Sequence, residues 1–307
     1  MNSSHQTIKP EVIKRAPVYA VLILVCMMWG GAFVSIKYLL RYFSPIQLVQ
    51  MRYTLVAPVF LIIILTQSRK NLFPRIKKNI VALLFAALFG VIGYNLSLAY
   101  GETRIPSGTA SLIINLSPVF TLTMSVLFLG EHFTFKKFGG MALSLFGLFI
   151  LVHSGAADSP KKEYYLYALI TLLAPISWAL YTVLCKSLTK EFKSMILTGL
   201  GIFIGSIPLF FLFGSDEIQI MRSMPVKAWL TLCFLSFGCT AAGYSGWNYA
   251  LRRLPSSEVA SFVYMIPVSS VLLGHILLDE AITKWVIIGA AFLLGGIYIV
   301  NRSKEKK

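Results

Sequence analysis

Charge is scarce in this chain. Asp, Glu, Lys and Arg make up only 13% of its 307 residues, and just 12 are acidic. That shortage excludes an ordinary soluble domain, in which about a quarter of the residues are charged, and it excludes an acidic disordered chain. Cysteine and histidine are as sparse, four of each. Cys26, Cys185, Cys233 and Cys239 all fall inside apolar runs without paired spacing, so neither a disulfide framework nor a metal cluster fits and buried structural thiols are expected. No phosphate-binding loop is present, which removes ATP as a direct energy source unless a partner subunit supplies it. Long polar connections are missing too. Only 67–79, 154–163 and 214–225 exceed a few residues, leaving no room between the apolar runs for a soluble domain.

What the chain has in abundance is apolar length. It is 57% apolar with a mean hydropathy of +0.75. A helix needs ~20 predominantly apolar residues to cross the ~30 Å of bilayer hydrocarbon. Ten stretches qualify: 17–40, 46–66, 80–101, 106–129, 136–153, 164–187, 194–213, 226–250, 255–278 and 283–301. Barrel strands would alternate lipid-facing and lumen-facing residues, and these runs are apolar throughout. The fold class is thus an all-α polytopic membrane protein of ten transmembrane helices, with the lipid bilayer as its first partner. Residues 1–16 read as a polar, basic tail and 302–307 as a second one. The first apolar run exceeds a signal-peptide core and no small-residue cleavage site follows it, so it is expected to remain as a helix.

The chain also reads twice. At an offset of 149 residues, Trp29 falls on Trp178, Lys37 on Lys186, Tyr100 on Tyr249, Arg104 on Arg253 and Pro106-Ser107 on Pro255-Ser256. Pro118-Val119 then meets Pro267-Val268, Glu131 meets Glu280, Gly140 meets Gly289 and Gly147 meets Gly296, without a gap. Repetition at this scale sets the architecture. The domains are a first five-helix repeat over 17–153, an outer linker over 154–163 and a second repeat over 164–301.

Orientation follows from the basic residues. With a cytoplasmic N-terminus, the cytoplasmic segments hold 19 of the 28 Lys and Arg, including Arg69, Lys77, Lys78, Lys190, Lys193 and Arg252. That is the expected positive-inside bias, and it accounts for the formal charge of +16 better than a nucleic-acid partner does. Both termini are then cytoplasmic. Five spans per copy is an odd number, so the second copy enters from the opposite side. The halves are inverted repeats, an arrangement many secondary transporters share, with the substrate site near the midplane between them.

At this point the residues resemble a family. Trp29-Gly30-Gly31-Ala32-Phe33 opens the first helix, Gly130-Glu131 closes the fourth, and Asp279-Glu280 takes the matching place after the ninth. With Leu112-Ile113 and Pro118-Val119-Phe120 between them, the chain is similar over nearly its whole length to the EamA-type branch of the drug/metabolite transporter superfamily. That resemblance implies a central cavity lined by the first four helices of each half, with the fifth and tenth peripheral. It also implies an inner-membrane (or plasma-membrane) exporter of small metabolites, amino acids among them. Many members carry an acidic residue beside the proline of the fourth or ninth helix. Here Ser117 and Ile266 stand in those places.

Polar side chains in hydrocarbon turn to the bundle interior or to a wet cavity. On that ground the candidate substrate-lining residues are Arg52, Tyr94, Asn95, Ser111, Asn115, Tyr244, Trp247, Asn248 and Tyr264, with Trp29 and Trp178. Interhelical hydrogen bonds and packing at the headgroup belt are the plainer alternatives for the same residues. The stripes Asn95, Leu98, Glu102 and Tyr244, Trp247, Asn248, Leu251 each occupy one helix face, as do Tyr264, Pro267, Val271 and His275. Pro118 and Pro267 each remove a backbone donor inside a span and are expected to kink it, as gating elements or for packing alone. Gly201 and Gly205 read as a close helix contact. Lys37, Arg104, Glu131, Lys186, Arg253 and Glu280 lie near span ends and repeat, which suggests a shared structural task such as helix capping. Arg52 lies inside the second span, where an isolated charge is costly, so it requires Glu102, a substrate anion or an outward-reaching pose. His275 and Glu102 are the titratable candidates. No cofactor or metal is expected, and homodimerisation stays open. An intramembrane enzyme is the rival class. Its only candidates are Glu131-His132 and His153 with Asp158, and neither set has ligand spacing.

Overall fold

Hydrocarbon offers no water to bond backbone groups, so a spanning chain must satisfy its N–H and C=O groups internally. The computed structural model describes residues 15–67, 72–129, 135–155, 161–212 and 214–302, and among these there is no strand. Gly130, Glu131, His132 and Asp158 lie outside the described residues, as do most of both tails. In chain order the apolar helices are α1 (Arg15–Leu39), α2 (Pro45–Thr66), α3 (Leu72–Glu102), α4 (Ser107–Phe128), α5 (Phe135–Gly155), α6 (Lys162–Leu188), α7 (Ser194–Phe210), α8 (Val226–Leu251), α9 (Ser256–Leu278) and α10 (Lys284–Arg302). Seven are long and apolar enough to cross a membrane. In α5, α7 and α10 the apolar stretches are shorter, at Phe138–Ile150, Ser194–Phe210 and Lys284–Gly296. Large apolar side chains such as Leu24, Ile62, Leu65, Phe128, Phe149, Leu169 and Ile276 are exposed. This surface suits lipid and would be an aggregation hazard in water.

The internal repeat appears directly in the packing. Contacts of α1 with α9 are mirrored by α6 with α4, and α3 against α6 by α8 against α1. The self-matching pairs are α2 with α7 and α5 with α10, so a pseudo-two-fold axis runs through both. Residues on such an axis meet their own counterparts. Ser144 Oγ donates to the Leu293 carbonyl at 3.1 Å, a separation of 149 residues. Trp29 and Trp178 stack edge-to-face with centroids 5.1 Å apart.

The α5–α10 pair forms the most extensive contact in the molecule and packs backbone to backbone, touching the other helices far less. A Cβ on Gly147 would lie 2.4 Å from the Leu293 nitrogen and 2.6 Å from the Gly289 carbonyl. One on Gly296 would lie 2.4 Å from the Gly140 carbonyl and 2.5 Å from the Ser144 nitrogen. Without hydrophobic drive between helices in lipid, close approach of this kind is what binds them. The expected Gly201–Gly205 contact is half right. Gly205 does sit against Val91, where a Cβ would come within 2.6 Å of the valine side chain. Gly201 is buried yet a Cβ there would meet nothing within 4 Å.

Four helices, α3, α4, α8 and α9, are irregular, in ways periodicity does not reveal. Leu88–Gly93 in α3 and Phe234–Ala242 in α8 are π-helical, at equivalent places in the two halves. The widened turn loosens carbonyls from the ladder and frees them for side chains. In α4 the α-helical segment ends at Ile114 and resumes at Ser117. In α9 a 3-10 stretch, Ser261–Met265, precedes the segment that begins at Ile266. Pro118 and Pro267 therefore do not kink a continuous helix. Each is the second residue of a new helical segment, where its missing N–H costs nothing.

Candidate functional site

A small cavity of about 20 Å³ lies beside the axis, bordered by Trp29, Phe33, Arg52, Tyr94, Leu98, Ile114, Trp178, Tyr244, Val263 and Ile266. That volume holds about one water molecule. Ile114 and Val263 are repeat equivalents, so both halves contribute matching wall positions. The rings form one cluster. Trp178 lies 5.0 Å from Tyr94, 5.3 Å from Tyr244 and 5.4 Å from Trp247, and Trp29 lies 5.3 Å from Trp247. Edge and tilted contacts of this kind hold aromatic planes at fixed angles. Trp29 is pinned further by its indole N–H, which donates to the Cys239 carbonyl at 2.8 Å, within the π-helical turns of α8. Gly243 admits that indole, since a Cβ there would come within 2.5 Å of its nitrogen.

Arg52 supplies the cavity's charge. It is 5% exposed. Its Nε donates to Thr240 Oγ1 at 2.5 Å and its Nη1 to Asn95 Oδ1 at 2.8 Å. Thr240 spends its own proton on the Leu235 carbonyl at 2.9 Å, which leaves a lone pair for the guanidinium. The Asn95 amide nitrogen lies 2.8 Å from Tyr53 Oη, 3.0 Å from the Gly90 carbonyl and 2.9 Å from that of Val91. Tyr244 Oη donates to the same Gly90 carbonyl at 2.9 Å and stands 3.3 Å from Asn95 Nδ2, its repeat counterpart. Both π-helical segments thus present carbonyls that cavity side chains take up. Among the described residues no carboxylate forms an ion pair with Arg52. The expected pairing with Glu102 is replaced by neutral oxygens from α3 and α8.

The other candidates divide. Trp247 is fully buried behind the Trp29–Trp178 pair. Asn248 Nδ2 bonds Tyr181 Oη at 3.0 Å and Thr198 Oγ1 at 2.9 Å, a packing role away from the cavity. Ser111 and Asn115 are wholly buried and bond carbonyls of their own helix, at Gly108 and Ser111. Tyr264 packs with Leu112, Val286 and Leu293 toward α10. The walls are built instead by Ile114 and Val263, one residue earlier. A 3-10 turn advances 120° per residue rather than 100°, so a face projected at 3.6 residues per turn is displaced by the end of Ser261–Met265. His275 is exposed, with Nδ1 3.0 Å from the Glu280 carbonyl, and does not border the cavity. Tyr53, Tyr181 and Thr240 complete the network without having stood out in the sequence. Tyr53 adjoins Arg52, but nothing local marks the other two.

At the span ends, symmetry shows as matched capping. Lys37 Nζ donates to the carbonyls of Glu102 at 2.5 Å and Ile105 at 3.0 Å. Lys186 Nζ donates to those of Leu251 and Leu254, both at 2.8 Å. Each lysine caps the C-terminal end of a helix in its own half, where cations are favoured. Glu280 takes the opposite role across the halves. Its Oε1 accepts from the Ser107 N–H at 2.8 Å, and its Oε2 accepts from Ser107 Oγ at 2.8 Å and the Gly108 N–H at 3.1 Å. The carboxylate closes the N-terminus of α4.

Glu102 breaks the pattern. It is wholly buried, both carboxylate oxygens lack a hydrogen-bond partner among the described residues, and its counterpart is Leu251. It borders an outlying pocket shared with Lys37, Arg41 and Glu280. A buried acid without a donor is destabilising. Glu102→Leu, which copies the second half, should therefore raise stability by about 1–3 kcal/mol, seen as a higher melting temperature of the purified protein. A lower one would mean that attraction to the nearby Lys37 ammonium outweighs the cost of burying the carboxylate.

Features of the rival class do not assemble. Among the described residues no three His, Cys, Asp or Glu converge as metal ligands, and His153 Nδ1 sits 3.0 Å from the Tyr165 hydroxyl on an exposed surface. Comparisons with known proteins agree with the fold. The model of the EamA-like transporter family matches residues 16–153 and again 165–302, one match per half. An uncharacterized transporter of Archaeoglobus fulgidus is 34% identical over 93% of this chain and 99% of its own. An Escherichia coli protein named "Probable amino-acid metabolite efflux pump" is 28% identical over 90% of this chain and 92% of its own. A solved crystal structure superposes with a TM-score of 0.62 at 16% identity, covering 94% of this chain and 99% of that one, a likeness of fold alone.

Proposed function

Because the chain belongs to the EamA-like transporter family, and is thus a multi-pass membrane transporter rather than an enzyme, we propose that it exports small amphipathic organic metabolites by alternating access through the central cavity. The carrying observation is that residues 149 positions apart, Asn95 and Tyr244, bond each other beside the central cavity. A site straddling an in-plane two-fold axis is presented nearly equivalently to both membrane sides. Contacts on either flank support a closed conformation. Glu280 bridges to α4 near one membrane face, and near the other Tyr19 Oη donates to Glu258 Oε1 at 2.5 Å and Ser125 Oγ lies 3.1 Å from Ser256 Oγ. Opening to one side would break one set and keep the other. The breaks before Pro118 and Pro267 are natural hinges for that motion. Outward direction and a metabolite class related to amino acids are supported by the names of relatives, among them two further proteins named as probable amino-acid exporters or efflux pumps.

The reading includes ten crossings of the inner (or plasma) membrane, with both termini in the cytoplasm. Reporter fusions after Lys78 and Lys193 should signal cytoplasm, and fusions near Asp158 and Asp216 the outside. A consistent outside signal at Lys78 would overturn both the orientation and the inverted repeat. Purified protein in liposomes should move a labelled metabolite without any added enzyme cofactor. An untargeted comparison of metabolites retained by cells with and without the gene would identify which one.

A further inference from the structure

The electrostatics of the central cavity carry an inference about what it binds, one that rests on the transporter reading. Among the residues bordering it, Arg52 is the sole charged side chain. A guanidinium keeps its proton in proteins, so this charge is permanent. Its Nε and Nη1 are held by Thr240 and Asn95, both through neutral oxygens, and among the described residues Nη2 has no hydrogen-bond partner. Neighbours of this kind orient the fork without neutralising it. A buried cation in a wall of low polarity favours whatever restores neutrality. A carboxylate does so, and its two oxygens match guanidinium geometry. A zwitterion would bring a carboxylate but leave the net charge unchanged, and no acidic side chain borders the cavity to receive its ammonium. The remaining wall is aromatic and apolar, with Trp29, Trp178, Tyr94 and Tyr244 presenting ring faces and edges around one space.

We propose that the central cavity is a site for a small organic monoanion with a planar apolar body, its carboxylate bound by Arg52 and its body lying among the Trp29, Trp178 and Tyr244 rings. The role of Asn95 and Thr240 is to aim the guanidinium at that carboxylate. Since a cavity of about 20 Å³ is too small for such a molecule, binding accompanies movement of the walls.

Three ligands that share one ring separate the alternatives: phenylacetate (an anion), L-phenylalanine (a zwitterion) and phenethylamine (a cation). Ligand-induced thermal shift of the purified full-length protein should give the order phenylacetate, then phenylalanine, with phenethylamine weakest. This ranking on the unaltered protein needs no variant. Arg52→Gln should weaken phenylacetate at least about tenfold and leave phenethylamine unchanged or stronger, and Arg52→Lys should recover part of the loss. A preference for phenylalanine or phenethylamine, no response to any of the three, or unchanged phenylacetate binding in a folded Arg52→Gln protein would overturn the proposal. Counterflow of labelled phenylacetate in proteoliposomes keeps the two readings apart. Binding without flux would remove the transporter reading and leave the anion site. Flux insensitive to Arg52→Gln would do the reverse.

Discussion

Gly147→Leu should give a protein that no longer purifies as a single folded species, and Gly296→Leu should do the same. At both positions the added carbons meet the backbone of the facing helix, which cannot rotate away as a side chain can. Ordinary overpacking costs about 1–3 kcal/mol, and forcing α5 and α10 apart should exceed it, because their close approach is what holds them together. Gly139 and Gly295 are the controls. They lie on the same two helices with nothing within 4 Å of a Cβ, so leucine there should leave yield and melting temperature near those of the parent. If Gly147→Leu melted like the parent, the backbone contact would not be what joins the pair. Substrate flux offers a second readout. Since α5 and α10 stand away from the cavity, any protein rescued at low temperature should still transport.

Asn95→Leu should abolish transport and cost about 2–3 kcal/mol, the range for losing hydrogen bonds to a charged group. Several groups fail together. Arg52 Nη1 loses its acceptor, and the Val91 carbonyl and Tyr53 hydroxyl lose a donor. The Gly90 carbonyl keeps Tyr244 and should be spared. Melting temperature and flux measured on one preparation distinguish this from a local effect. Intact stability with lost flux would mean that Arg52 finds another partner and that Asn95 matters to the substrate alone. Loss of neither would dismantle the network as described.

Much of the architecture was legible before any coordinates. The 149-residue offset is recoverable by comparing the chain with itself, and the Trp29–Trp178, Asn95–Tyr244 and Ser144–Leu293 contacts occur between positions it pairs. Arg52, Tyr94, Tyr244 and the two tryptophans were identifiable from polarity or from the repeat, and all border the cavity. The wall positions of α4 and α9 were not. Reading faces at 3.6 residues per turn assumes an unbroken α-helix, and both spans change helical form just before the face in question. Asn115 and Tyr264 were chosen for polarity and for their match across the repeat, and the cavity is bordered one residue earlier, by Ile114 and Val263. Thr240 was hidden for a related reason. Its importance comes from its place in a π-helical segment, where hydrogen bonding departs from the α pattern without a distinctive residue type. Glu102 was one of the partners open to Arg52, on side and depth alone, which cannot say which way two long side chains turn.

The repeat partner of Arg52 is Gly201, buried beside empty space, and this inequality bears on what a duplicated protein gains by fusing. An assembly of two identical five-helix chains, inserted in opposite orientations about the same two-fold axis, would carry any arginine at this place twice. Each of two buried arginines would need its own partner inside the bundle. A self-paired assembly could hold neither charge there or both, never one. Joining the copies into one reading frame lifts that constraint, and each lobe can then mutate without forcing its sister to follow. Here one lobe holds a cation and the other a glycine at the matching position. The covalent link thus does more than fix stoichiometry. It permits an odd number of charges at a site that symmetry would otherwise require to be even.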